Sequence, residues 1–457
     1  MLAITRLIYR ALILTTFVCI SLCSIVYSME VTPAMKALIE KNKSFGMNKY
    51  PISFWSNSNL AEHGEHMTEA EVKSWADAGF TVPQSPTFDP KDEKQKAHMA
   101  RLLKWADKYG MKLIVVDPRG YAKKGDMKGY ADGVRAAAAD WGKYPATFGF
   151  HVGDEPDSAM KDTFFACYKI QKEIAPNLHP YANLLPHFPG IEERAGTDTW
   201  PNYLDEYIRK AKPDMLSYDC YTQMNPGEDG VNIYYRNLKF DREAAVRNGV
   251  PFWNTILSVG HLFYRCPNQN EIRWQFNTSV AAGANGISWW FYYMLAPNAN
   301  YRNSPVDELW DKTPTYYDIR RVQQDFHKHY GDLFNRIVPT RVTFYGKVYG
   351  DGAEFTPDDI ILKVDSTKKT PLLIGEFTDL EGRRYAMFVN NSMTDDDIFN
   401  VIFPKGCKTY SYSFNNKEYE GGAYCHLGVQ FDGAGNPVHP LMLMPGGEAV
   451  YRIELAK

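Results

Sequence analysis

A chain of 457 residues is long enough for two domains, and its formal net charge of -3 lacks the basic excess of a nucleic-acid-binding face. Aromatic residues make up 14% of it, with 30 Tyr and 10 Trp. That stock fills core, and it also suits a cleft whose walls stack on flat ligand faces.

The first residues read as an address label. Arg6 and Arg10 are followed by an almost wholly apolar run, Ala11 to Tyr27, and a small residue at Ser28. Residues 1–28 are therefore expected to be a signal peptide, with export to the periplasm or the extracellular space. Those residues carry two Arg and no acid, so their removal takes the net charge from -3 to -5. An uncleaved anchor is the alternative, for which the apolar run is barely long enough. Lipid attachment at Cys19 or Cys23 is disfavoured, because Val18 and Leu22 stand where a small residue would be wanted. No other transmembrane candidate follows. Cys167, Cys220, Cys266, Cys407 and Cys425 remain after cleavage, none in a CxxC pattern, so no structural zinc site is expected. Cys407 and Cys425 are either a disulfide or free thiols.

After a lead-in at 29–50, short apolar runs alternate with amphipathic stretches from 51 to 338. The strands expected are Ile52 to Trp55, Thr81 to Gln84, Leu113 to Asp117, Thr147 to Val152, Pro180 to Leu185, Met215 to Asp219, Pro251 to Leu257 and Gly286 to Tyr292. Helical patterns follow each of them, the first opened by Thr68-Glu69-Ala70-Glu71 as a capping box. Eight such repeats over roughly 290 residues match an α/β fold of the (β/α)8 TIM-barrel type. From 339 to 457 the helical period is lost. Runs such as Arg384 to Val389, Val401 to Phe403 and Ala449 to Glu454, separated by Gly, Asn and Asp turns, predict a small all-β sandwich. Its expected role is to buttress the barrel.

A barrel of this kind places its chemistry at the C-terminal ends of its strands. Trp55 and Asn57 fall there after strand one, and Asp117 after strand three. Strand four ends in His151-Val152-Gly153-Asp154-Glu155-Pro156. Strand five offers Asn183 and His187, strand six Asp219-Cys220-Tyr221, strand seven Asn254, and strand eight Trp289-Trp290-Phe291-Tyr292. A polar residue, Glu and Pro at the end of strand four resembles the Asn-Glu-Pro signature of clan A glycoside hydrolases. The Asp-Glu-Pro variant is similar to that of beta-galactosidase-like proteins of polysaccharide-degrading bacteria. Gly283-Ala284-Asn285-Gly286-Ile287-Ser288-Trp289-Trp290 resembles their last barrel strand, and Met444-Pro445-Gly446-Gly447-Glu448-Ala449-Val450-Tyr451 resembles the closing strand of their β-domain.

The resemblance implies a carbohydrate substrate, a poly- or oligosaccharide, and Glu155 as general acid, with a Trp flooring the sugar site. No cofactor or metal is implied. Such an acid must stay protonated near neutral pH, and a neighbouring carboxylate such as Asp154, together with aromatic walls, raises its pKa. The plain alternative is that Asp154-Glu155-Pro156 merely caps the next helix. The family's nucleophilic Glu at the end of strand seven has no counterpart in Phe252-Trp253-Asn254-Thr255-Ile256-Leu257-Ser258, and Glu271 falls at the next helix start, where capping explains it.

Asp219 is the substitute expected as second catalytic carboxylate; either stereochemical class is geometrically open, and the absent strand-seven nucleophile favours an inverting base with water between it and Glu155. Hydrogen bonding to sugar hydroxyls or to a barrel backbone group is its other reading, and Asp117, Glu228 and Glu308 are reserves. The substrate-binding set expected is His151, Asp154, Asp117, Asn183, Tyr221, Asn254, Trp289, Trp290 and Tyr292, only one of the Trp pair facing the mouth. Two other functions remain open. One is a non-catalytic glycan-binding barrel, favoured by the missing strand-seven acid. The other is a metal-dependent hydrolase using His151, Asp154 and Asp117, which no HxH or HExxH spacing supports.

Overall fold

The computed structural model describes residues 30–225, 229–294, 301–413, 416–421 and 430–456. The expected signal peptide, Glu228 and Cys425 lie outside the described residues.

Seven parallel strands alternate with helices: β1 (Ile52–Phe54), β2 (Leu113–Val115), β3 (Thr147–Asp154), β4 (Tyr181–Asn183), β5 (Leu216–Asp219), β6 (Phe252–Leu257) and β7 (Gly286–Trp290). They pair in the orders β1-β7-β6-β5 and β2-β3-β4. Two seams complete the ring. Between β4 and β5, Leu184 bridges to Tyr218 and donates its N–H to the Ser217 carbonyl. Between β1 and β2 runs the expected second strand. There Val82 and Gln84 donate to the carbonyls of Ile52 and Phe54, and the Pro83 carbonyl accepts from Ile114. Pro83 has no N–H to give, so this stave is held as a bridge at Gln84 rather than as a regular strand. The eight-stave count stands, and the second strand is corrected to irregular backbone.

Alternation along the strands divides the apolar residues into two cores. Ile52, Phe54, Leu113, Val115, Phe252, Ile256 and Ile287 pack outward beneath the helices. Val82, Ile114, Phe148, Tyr181, Trp253 and Leu257 fill the interior. The lead-in contributes a helix, Pro33–Ser44, capped by the Thr32 hydroxyl. Phe45 just after it closes the floor of the barrel, its ring 5.5 Å from Phe148 and 5.9 Å from Trp253.

Two caps were legible in the sequence. Thr68 accepts from the Glu71 N–H as expected, but the reciprocal half of that box is absent. Glu71 instead holds the Lys312 ammonium at 2.7 Å and accepts from the Tyr293 hydroxyl, and a charged donor outcompetes a neutral N–H. A complete box forms at Asn268 and Glu271, which accounts for Glu271 as read from the sequence.

Eleven strands follow among the described residues: β8 (Val338–Tyr345), β9 (Ala353–Glu354), β10 (Lys363–Ser366), β11 (Leu372–Thr378), β12 (Arg384–Asn390), β13 (Asp397–Ile402), β14 (Lys408–Ser413), β15 (Lys417–Glu420), β16 (Gln430–Phe431), β17 (Pro437–Leu443) and β18 (Glu448–Glu454). They form a seven-stranded sheet, β15-β14-β18-β12-β11-β8-β9, and a four-stranded one, β10-β13-β17-β16. Ile374, Phe388, Phe399, Val401, Leu441 and Tyr451 lie in the core between them. The other face of the larger sheet, with Leu373, Met387 and Val389, joins the core outside the barrel. The closing motif makes this docking close. Gly446 has φ +65°, and a Cβ there would stand 2.6 Å from the Trp274 backbone in the helix Gln269–Ala281, so only glycine fits. Asn277 of that helix donates to Glu448 at 2.7 Å. Among the described residues no helix is long and apolar enough to cross a membrane.

Candidate active site

At the C-terminal end of the ring lies a cavity of about 180 Å³, lined by Trp55, Asp154, Glu155, Asn183, Asp219, Tyr221, His261 and Trp290. Its acidic wall is built by an irregularity in β3. His151 pairs with Tyr181 and Gly153 with the very next residue, Ala182, so Val152 and Gly153 together oppose one position of β4. Such a bulge re-aims the residues that follow it. Gly153 takes φ +145°, and Glu155 is then held at φ +40°, a left-handed conformation a glutamate rarely adopts. The Glu155 N–H is anchored on the Asn183 carbonyl at 3.0 Å. Backbone of this kind, enforced by its neighbours, gathers at functional sites.

Asn183 organises the carboxylates. Its Nδ2 donates to Asp154 at 3.0 Å and to Asp219 at 2.7 Å, one proton to each. The Ser217 hydroxyl donates to its Oδ1 at 3.3 Å and fixes the orientation of the amide. Glu155 extends over β4 until its carboxyl is within hydrogen-bonding reach of Asp219. On its other side the Arg194 guanidinium stands 3.4 Å away.

Burial and mutual repulsion set the protonation of the three acids. Burial in the cleft walls, then the charge of Glu155, pushes Asp154 up to about 6, although its outer edge is open to solvent. Burial also raises Glu155, against the opposing pull of Arg194. Asp219 is raised well above the usual carboxylate range by burial and by the charges of Glu155 and Asp154. The three therefore titrate as a coupled set, each carboxylate disfavouring ionisation of the others.

The aromatic side faces them. Trp55 and Trp290 meet edge to face at 5.2 Å, and His261 stands 5.8 Å from Trp290. The indole N–H groups of Trp55 and Trp290 and the Nδ1 of His261 are buried without a protein partner among the described residues. Buried groups like these are open to a hydrogen bond from water or from a polar ligand. His151 lies beneath the cavity, its ring 5.0 Å from Trp55. Its Nε2 donates to the Gly153 carbonyl at 3.1 Å, its Nδ1 accepts from Tyr121 at 3.0 Å, and burial lowers it to about 4, so it is neutral and supports the bulge.

Among the residues expected from the sequence, Asp154, Glu155, Asn183, Asp219, Tyr221 and Trp290 meet here. Four others do not. Asp117 is fully buried, held by Arg119 at 2.7 Å and by the Trp141 indole at 2.8 Å. Asn254 points out of the barrel and donates to Ser279. Trp289 also points outward, its indole donating to Gln323 at 3.0 Å. Tyr292 stacks on Phe54 at 4.2 Å, behind β1. Each stands on the helix-facing side. For Asp117, Asn254 and Trp289 this is a parity that strands buried on both faces do not reveal in sequence, whereas Tyr292 lies beyond the end of β7, where strand alternation no longer applies.

Glu155 and Asp219 stand within hydrogen-bonding reach of each other, closer than the water-filled separation expected between them. Glu308 is exposed and does not line the cavity. His261 and Arg194 were missed. His261 sits four residues beyond β6 in Ser258-Val259-Gly260-His261, and that proximity to a strand end was its one sequence signal. Where the strand-seven nucleophile would stand, the chain has Leu257 and Ser258, whose hydroxyl donates to the Phe291 carbonyl. Among the described residues no three His, Cys, Asp or Glu side chains are placed to hold a metal ion.

No known family's sequence profile and no curated protein sequence matches the chain. Solved structures do. One described as a glycoside hydrolase superposes with a TM-score of 0.55 at 12% identity, covering 89% of this chain and 93% of its own. A glycoside hydrolase family 5 protein from Bacteroides vulgatus gives 0.54 at 11% identity, covering 89% of each chain. A family 39 glycoside hydrolase from Bacteroides cellulosilyticus gives 0.50 at 12% identity, covering 89% of this chain and 81% of its own. At such identities the likeness is one of architecture, and the chain has the clan A glycoside hydrolase-like fold, a (β/α)8 barrel followed by a β-sandwich.

Proposed function

We propose that the chain is an exported glycoside hydrolase that cleaves an O-glycosidic bond of a poly- or oligosaccharide, with Glu155 as the general acid. The observation that carries this is the convergence of Asp154, Glu155 and Asp219 on one small cavity whose opposite wall is aromatic. Burial raises the Glu155 carboxyl against the pull of Arg194, which supports its reading as the group that gives a proton to the leaving oxygen. As the bond breaks, positive charge grows on the sugar ring, and the carboxyls of Asp154 and Asp219 stabilise it. Trp55 and Trp290 offer faces to the ring, and their free N–H groups are donors for its hydroxyls.

The test is release of reducing sugar from a panel of plant and algal polysaccharides and their oligosaccharides, with Glu155→Gln as the control. Turnover that the control retains in full would remove Glu155 from the role. One observation favours a second reading, a glycan-binding barrel without turnover: β6 ends in Leu257 and Ser258 with no acid. Calorimetric binding of a glycan that the wild-type chain never cleaves would establish that alternative.

A further inference from the structure

Hydrolysis by two protein carboxyls sets them on opposite sides of the reacting carbon. They lie about 5–5.5 Å apart when one is a nucleophile and about 6.5–9.5 Å apart when one activates water. This cavity is arranged differently. Asp154 and Asp219 share one amide nitrogen, that of Asn183, and Glu155 is within hydrogen-bonding reach of Asp219. All three acids thus stand on the wall formed by β3 to β5. The facing wall of Trp55, His261 and Trp290 offers no carboxylate among the described residues.

A crowded pair of this kind suits a substrate that brings its own nucleophile. In a 2-acetamido-2-deoxy sugar the amide oxygen can reach C1 from C2. The protein then needs an acid for the leaving oxygen and, close beside it, a carboxylate to hold the amide N–H, because C1 and C2 are adjacent. We propose that the substrate class is the 1,2-trans 2-acetamido-2-deoxy glycosides, with the acetamido oxygen as nucleophile, Glu155 as acid and then base, and Asp219 as the acceptor of the acetamido N–H. This rests on the hydrolase reading above. Trp55, Trp290 and Tyr221 supply an apolar seat for the acetamido methyl.

The steps balance. A lone pair of the acetamido oxygen forms a bond to C1 while the C1–O glycosidic bond breaks. Its electron pair leaves with the aglycone oxygen, which takes the Glu155 proton. The resulting oxazolinium ion keeps its N–H on the Asp219 carboxylate. Water then adds to C1 and gives a proton to Glu155, while the C1–O bond of the ring returns its electrons to the amide. Acetamide and acid are restored, and the released sugar retains its configuration.

The experiment compares 4-nitrophenyl β-glycosides of N-acetylglucosamine and N-acetylgalactosamine with the matching glucoside and galactoside on the full chain. The acetamido substrates should be favoured about a hundredfold or more in kcat/KM, the advantage of an internal nucleophile. Replacing acetyl by trifluoroacetyl weakens that oxygen and should cut kcat about tenfold or more. Asp219→Asn should lower kcat on the acetamido substrates without a matching rise in KM, and the 1,2-thiazoline analogue of N-acetylglucosamine should inhibit competitively. Equal or better turnover of the 2-hydroxy glycosides, or indifference to fluorination, overturns this inference and leaves the hydrolase reading intact. Failure to cleave any of these glycosides or any polysaccharide of the panel overturns both.

Discussion

The two walls of the barrel mouth are made by the same architecture and have opposite chemistry. On one, β3, β4 and β5 end in Asp154, Glu155, Asn183 and Asp219, tied together by a single side-chain amide. On the other, β1, β7 and the loop after β6 present Trp55, Trp290 and His261, with buried N–H and ring-nitrogen groups that lack protein partners among the described residues. The acidic wall is over-determined, with bulge, left-handed backbone and shared hydrogen bonds all holding it. The aromatic wall is held by packing and leaves its polar atoms free. Under the proposed function, proton transfer uses the fixed positions of one wall and sugar binding the faces and spare hydrogen bonds of the other, which would divide reaction from recognition across one cavity.

The largest effect should come from the acidic wall. Glu155→Gln removes the transferable proton and should lower turnover of natural glycosides by about 10²–10⁴-fold. Aryl glycosides with good leaving groups need less help and should lose much less. Equal losses on both substrate types, measured by steady-state kinetics, would contradict the assignment.

Two adjacent tryptophans sharpen the contrast between core and cleft. Trp289→Ala empties a fully buried outward site and should cost about 3–5 kcal/mol of stability, seen as a lower midpoint in denaturant, with little change in KM of whatever folds. Trp290→Ala should leave the midpoint nearly unchanged and weaken glycan affinity by about 1–3 kcal/mol, as at other stacking platforms. Reversed outcomes would mean that β7 faces the other way.

The smallest effect concerns the cost of the acid cluster. Asp154 binds its proton more tightly folded than unfolded, its pKa being raised to about 6. Between the unfolded value of about 4 and that point the folded chain carries more protons, so this contribution to stability falls as pH rises. Glu155 and Asp219, both raised, act with the same sign. Asp154→Asn should therefore melt higher than wild type at pH 7, with the gain shrinking towards pH 4. A Tm difference that does not vary with pH would show that Asp154 is not held as described.

Much of the architecture was legible in the residues alone. Eight apolar runs spaced by amphipathic stretches determine a closed parallel sheet, because parallel strands must be covered by helices on the way back. The loss of helical period after 338 likewise determined a β-rich second part. The rule that chemistry sits at strand ends was enough to bring Glu155, Asp219, Asn183 and Tyr221 together on paper. Only the tertiary structure decided which side of each strand faces in. Asp117, Asn254 and Trp289 were misplaced because strands buried on both faces carry no polar alternation to betray their parity, and Tyr292 because it lies past the end of β7, where alternation stops.

Distance along the ring misled in a second way. β3 and β5 are separated by β4, yet a two-residue bulge and a left-handed glutamate bring their acids into reach, and no local pattern announces either feature. His261 reaches the cavity from a loop, where periodicity gives no guide at all. Periodic burial is a local property and can be read from spacing. The meeting of side chains across a ring depends on sub-residue shifts in several strands at once, and only the folded chain resolves them.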